Sequence, residues 1–273
     1  MGTDEFEAWI VAVPDLKILK LVSIYGIMRQ DVASLEAFYA SPLGTKAREC
    51  LTSRILDLWG DLNKETLLGV GFATPLITQL GHKTDSSIAV MPAAQGGLTW
   101  ASTDRGVSTV LAEEGDLPFK DGSFTRIIVM HALEESPAPF GLLREIWRVL
   151  APEGRLIVIA ANRLGLWARA ESTPFGHGRP WTRGQLAHLL EETMYQTAAW
   201  THSLYMPPSQ WKPVLTMADG LEKVGETFSR VIGGVVLIEA VKRLYANTGH
   251  RKLQFAPVRP VRTRKGLARL PRD

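Results

Sequence analysis

Leu67–Ile77, LLGVGFATPLI, reads as a buried strand that runs into a glycine turn and then a helix. Thr66 to Val70 supply the strand. Thr74 is suited to cap the helix, Pro75 to its first position and Gly81 to its end. Strands and helices alternate downstream. Ser87–Val90 and Thr109–Ala112 read as strands. RIIVM at Arg126–Met130 is a continuous apolar run, as in a strand buried on both faces. LLREIWRVL at Leu142–Leu150 has the apolar spacing of an amphipathic helix, and RLIVIA at Arg155–Ala160 is the next strand. This alternation predicts an α/β chain built on a doubly wound, mostly parallel sheet.

Before the glycine turn, Leu35, Phe38, Leu43, Ile55, Leu56 and Trp59 mark helices between Asp31 and Trp59 that cover a core. Beyond Ala160, Thr182 and Gln185 form a capping-box pattern ahead of LAHLLEE. A strand is expected over Thr197–Leu204, a helix over Ser209–Phe228 and a strand over Val235–Ala240.

The glycine turn excludes two common cofactors. A dinucleotide fingerprint needs G-x-G-x-x-G/A and an acid about 20 residues on. Here Thr74 stands at the last place, and Met91 and Pro92 end the second strand without an acid. A P-loop needs Lys followed by Ser or Thr after its last glycine, and there is none here.

AEEGDLPFKDGSF (112–124), then RIIVMHALEE (126–135) and LLREIWRVLAPEGRLIVIA (142–160) resemble the class I S-adenosylmethionine-dependent methyltransferases of the type 11 branch. The resemblance covers about residues 66–160. FYASPLG, MPAAQG, NRLGLWAR and TPFGHGRPW extend it toward a bacterial subgroup with a degenerate cofactor loop. It implies a Rossmann-like methyltransferase fold: a seven-stranded sheet with N-terminal helices. It also implies S-adenosylmethionine as cofactor and methyl transfer to an unidentified acceptor. The alternative is a catalytically inactive protein of this fold that binds a protein or RNA.

Carried over position by position, Gly69 stands where the family has an acid, and Gly71, Ala73 and Pro75 where it has glycines. Phe72 lies beside them. Met91 or Pro92 replaces the ribose-binding acid, and Gln95 offers a substitute acceptor. Glu113, four residues before Leu117, matches the acid that faces adenine, with Glu114, Gly115 and Asp116 shaping the same pocket. A hydrogen bond to a charged group contributes about 1.5–3 kcal/mol. Two such anchors lost without replacement would weaken binding by ~10²–10⁴-fold.

In-line methyl transfer needs alignment and exclusion of water more than an acid or base. His131, directly after the fourth strand, is a candidate base, a pocket wall or a structural histidine. Asn162, Arg163, Trp167, His177, Arg179 and Trp181 lie in the Gly-, Arg- and aromatic-rich segment after the fifth strand, the candidate substrate lid. His131 and His177 are too few for a metal site.

The chain has one cysteine, which excludes a disulfide framework and a cysteine zinc cluster. Its net charge is +3, but residues 251–273 carry eight Lys/Arg and one acid, so the first 250 residues carry −4. The expected organisation is an N-terminal extension (1–27), a methyltransferase-like domain (28–249) and a basic, disordered tail (250–273) with weak nucleic-acid contact. The apolar N-terminal run is interrupted by Pro14, Asp15, Lys17 and Lys20, which argues against a transmembrane segment and for a cytoplasmic protein.

Overall fold

The computed structural model describes residues 29–95, 108–228 and 232–243. The expectations for residues 1–27 and for the basic tail lie outside these.

Seven strands form one sheet in the order β3-β2-β1-β4-β5-β7-β6. They are β1 (Thr66–Gly71), β2 (Ser86–Pro92), β3 (Ser108–Ala112), β4 (Phe124–Met130), β5 (Leu150–Ala161), β6 (Tyr195–Ser203) and β7 (Val235–Lys242). The pairs from β3 through β5 are parallel. β7 runs antiparallel to both β5 and β6, so the sheet is mixed. β7 is buried along its whole length because it lies between those two strands.

Helices cover both faces. On one, α1 (Val32–Ala40), α2 (Pro42–Trp59) and α3 (Thr74–Leu80) bury Leu35, Leu51, Ile55 and Ile77 against Leu67, Met91 and Met130. On the other, α4 (Pro139–Val149) and α5 (Arg183–Glu192) bury Leu143, Ile146, Leu186 and Leu190 against Val70, Val129 and Val158. The two layers are the physical content of the doubly wound expectation. The expected capping box at Thr182 and Gln185 is present at α5.

Two local expectations are corrected. Ala73, not Thr74, takes the N-cap position of α3, and it has helical dihedrals and no side-chain cap. Ala73 O already accepts from Leu76 N and Ile77 N, so Thr74 is drawn into the first turn. The helix expected over 209–228 is two: α6 (Lys212–Thr216) and α7 (Ala218–Phe228). The break is at Met217, whose N–H turns back onto Pro213 O and Leu215 O.

Candidate functional site

The chain runs outward from β1 through β2 to β3, then returns to place β4 on the other side of β1. In open α/β sheets, ligands bind at this reversal, outside the carboxyl ends of the strands. Gly71 at the end of β1 pairs with Met130 at the end of β4. The turns that follow them, 72–73 and 131–135, therefore meet.

The first turn is apolar and closely packed. Gly71 has φ +81°, and a Cβ there would collide with Met130 O and lie 2.8 Å from Ala132 Cβ. Only glycine allows this approach. A Cβ at Gly69 would run into Ile77 Cδ1 and lie 2.8 Å from Ala73 Cβ. The room a carboxylate would occupy on β1 is thus filled by α3. Phe72, Ala73 and Met91 are buried in the same cluster, and Pro92 is buried beside Met91.

The second turn is polar and closed over. His131 has φ +51°, a left-handed conformation uncommon outside glycine, and is 5% exposed. Its Nε2 lies 2.8 Å from the hydroxyl of Tyr39, on α1. Tyr39 stacks on Phe72, with ring centroids 5.9 Å apart. Phe175 covers the other side of His131, 4.7 Å between centroids, and meets Trp167 edge-on. Burial pulls His131 down to about 3, so the imidazole stays neutral. That makes it a poor proton acceptor near neutral pH.

Glu134 is 8% exposed. Its Oε1 accepts from Ala161 N at the end of β5, and its carbonyl accepts from Arg179 N in the long loop after β5. Burial pushes the carboxyl up to about 7. Burial raises the Tyr39 hydroxyl well above its ordinary range, and the nearby Glu134 carboxylate adds to the rise.

Three buried side-chain oxygens at this edge have no hydrogen-bond partner among the described residues: Thr74 Oγ1, Gln95 Oε1 and Glu134 Oε2. They belong to the elements following β1, β2 and β4. Gln95 is fixed there by its Nε2, which donates to His131 O at 3.4 Å. Buried polar atoms are nearly always paired, so orphans clustered at a switch point mark places for ligand or water.

At the end of β3, Glu113 and Asp116 are exposed and Leu117 is buried. Glu114 pairs with Arg29 and accepts from Ser136 Oγ at 2.6 Å. The specific LPF and REIWR segments explain one another. Glu145 accepts from Leu117 N, while Arg148 donates to Leu117 O, Phe119 O and Asp121. This clamp fixes the loop after β3 at the sheet edge.

The loop after β5 divides. Asn162 is buried, with Nδ2 donating to Gly233 O, and Trp167 is buried, with its indole N–H donating to Met206 O. Both anchor the loop in the core. Trp181 is buried too, and Arg179 lies over its ring at 4.8 Å. Arg163 and Arg179 are exposed, and His177 is partly so, its Nε2 held 2.8 Å from Glu171 O. Sequence reasoning missed Tyr39 and Glu134, and gave Thr74 a capping role that Ala73 takes. The acid pair at 134 and 135, in the turn after β4, was the available signal for Glu134.

Two cavities lie away from this edge. One, of about 230 Å³ between α5 and β6, is lined by Arg183, Thr197 and Trp200. The other, of about 360 Å³ between α2 and α7, is lined by Cys50, Arg54 and Glu222. Burial pushes the Cys50 thiol up to about 12, which makes it unreactive. Among the described residues no group of His, Cys, Asp and Glu is arranged to hold a metal, and no helix is long and apolar enough to cross a membrane.

Residues 68–158 match the family model described as a methyltransferase domain, which spans β1 through most of β5. A SAM-dependent methyltransferase from Thermotoga maritima has the same fold, with TM-score 0.57 and 18% identity over 78% of this chain and 96% of that one. So does a chain of the complex between the Haloferax volcanii Trm112 methyltransferase activator and a methyltransferase, with TM-score 0.55 and 16% identity over 78% and 98%. A SAM-dependent methyltransferase from Archaeoglobus fulgidus aligns with TM-score 0.51 and 16% identity over 76% and 97%. No curated protein sequence matches the chain. The methyltransferase fold agrees with the resemblance read over residues 66–160.

Proposed function

We propose that this chain binds S-adenosylmethionine at the β1/β4 switch point and transfers its methyl group to an acceptor. The observation that carries the reading is the set of orphaned oxygens of Thr74, Gln95 and Glu134, which stand on the segments following β1, β2 and β4 within the matched 68–158 region. The donor sites of the ligand and the unspent acceptors of the protein suit each other. Gln95 Oε1 is placed to accept from a ribose hydroxyl, and the Glu113 carboxylate from the adenine amino group. Gly71 lets the β1 and β4 turns close together beneath the ligand. Met91, Pro92 and Leu117 supply apolar wall. Gly69 supplies no anchor, because Ile77 fills that room. When bound, S-adenosylmethionine supplies a methyl group activated on a sulfonium. His131, neutral and held by Tyr39, lines the site and keeps water out. The exposed Arg163 and Arg179, with the half-buried His177, form the rim that meets the acceptor.

Ile77 over Gly69 favours a second reading, a non-catalytic protein that keeps the fold and binds a partner. Calorimetric titration separates the two. The first reading expects saturable binding of S-adenosylmethionine and S-adenosylhomocysteine, weakened about tenfold by Glu113→Gln with no change in melting temperature. Absence of heat at millimolar ligand would rule out the donor reading and leave the second.

A further inference from the structure

The ligand just proposed carries an ammonium on its amino-acid end, and β1 offers no carboxylate to meet it. Gly69 has no side chain, and the space above it belongs to Ile77 and Ala73. The nearest buried acid on the neighbouring turn is Glu134. One of its oxygens is spent on Ala161 N; the other, Oε2, is buried and has no partner among the described residues. Tyr39 joins the two turns: it stacks on Phe72 of the first and lies 2.8 Å from His131, three residues before Glu134 on the second. Gly71 and Ala132 are in near contact between the two turns.

We infer that Glu134 supplies the anion missing from β1, holding the ligand's ammonium through Oε2 in a site walled by Tyr39 and Phe72. This rests on the donor reading above. Thr74 Oγ1, the orphan nearest the glycine turn, offers a further acceptor to the same end of the ligand. An unpaired buried carboxyl is costly as an anion, and a ligand cation removes that cost. The site therefore selects a ligand with a positive charge at that end over one without it.

The test compares S-adenosylhomocysteine, which has the ammonium, with 5′-methylthioadenosine, which lacks the amino-acid end. The full-length chain and its Glu134→Gln variant are titrated calorimetrically with each. The unmodified chain should bind S-adenosylhomocysteine at least tenfold more tightly than methylthioadenosine. Glu134→Gln, which keeps the acceptor for Ala161 N, should weaken S-adenosylhomocysteine about 10- to 100-fold and leave methylthioadenosine within twofold. Equal weakening of both ligands, or of neither, overturns the assignment. If Glu134→Gln does not fold, the ratio on the unmodified chain decides: a value near one overturns the proposal. Absence of binding by either ligand to the unmodified chain instead breaks the donor reading, and this inference falls with it.

Discussion

The two turns at the switch point differ in kind. The β1 turn is a packing device: Gly71 admits the backbone of β4, Gly69 admits Ile77, and Phe72 and Ala73 are buried. The β4 turn is a polar device: His131, Glu134 and the Gln95 amide bound to His131 O are buried with their hydrogen-bonding capacity partly unspent. Methyltransferase-like loops are expected to carry their charge on the first turn. In this chain the acids nearest the switch point, Glu134 and Glu135, stand on the second.

The largest effect should come from breaking the first turn. Gly71→Ala forces a Cβ onto Met130 O at a positive φ, and should cost about 4 kcal/mol or more, read by chemical denaturation. Gly69→Ala meets side chains and no backbone, the end of Ile77 and Ala73 Cβ at 2.8 Å, and should cost about 1–3 kcal/mol by overpacking. Adding Ile77→Val should restore part of that loss; no restoration would mean that Ile77 does not fill the position.

The second turn should show itself through pH. Burial raises Glu134 from 4.5 to about 7, with Glu135 adding to the rise and the N–H of Ala161 opposing it. The folded chain holds this proton more tightly than the unfolded chain. Its stabilising contribution is complete below 4.5 and is lost as pH rises to about 7. His131 runs the other way. Lowered from 6.5 to about 3, it contributes fully above 6.5, and that contribution is lost as pH falls toward about 3. Tyr39, the other titratable group facing them, stays protonated throughout because burial raises it further above 10. The melting temperature of Glu134→Gln relative to the unmodified chain should therefore climb between pH 4.5 and about 7 and level off above. A flat difference would place Glu134 in water. The smallest effect belongs to Tyr39→Phe, which removes the hydrogen bond to His131 and should cost about 1 kcal/mol in thermal melts.

Much of the sheet was legible because its strands are continuous apolar runs. RIIVM and RLIVIA announce strands buried on both faces, and they are central β4 and β5. Strand direction was not legible: VVLIEA is equally apolar read either way, and only its place between β5 and β6 makes β7 antiparallel. The glycine turn was located correctly, but the cap was not, because Thr74 is a good cap in isolation and the tertiary turn gave that place to Ala73. At the site, Gln95 and His131 stood out through their positions after strands. Tyr39 and Glu134 did not. Tyr39 meets His131 across 92 residues of chain, and Glu134 looks like any acid in a surface turn until Ala161, Arg179 and the loop after β5 close over it. Burial and long-range pairing are properties of the packed chain, and no local spacing encodes them.

The central claim is that both turns contact one ligand, and amide hydrogen exchange tests it most directly. With saturating S-adenosylhomocysteine, the account predicts slowed exchange at residues 71–74, 113–117 and 131–135 together, with α5 unchanged. Slowing confined to other segments, or at the β1 turn without the β4 turn, would contradict it.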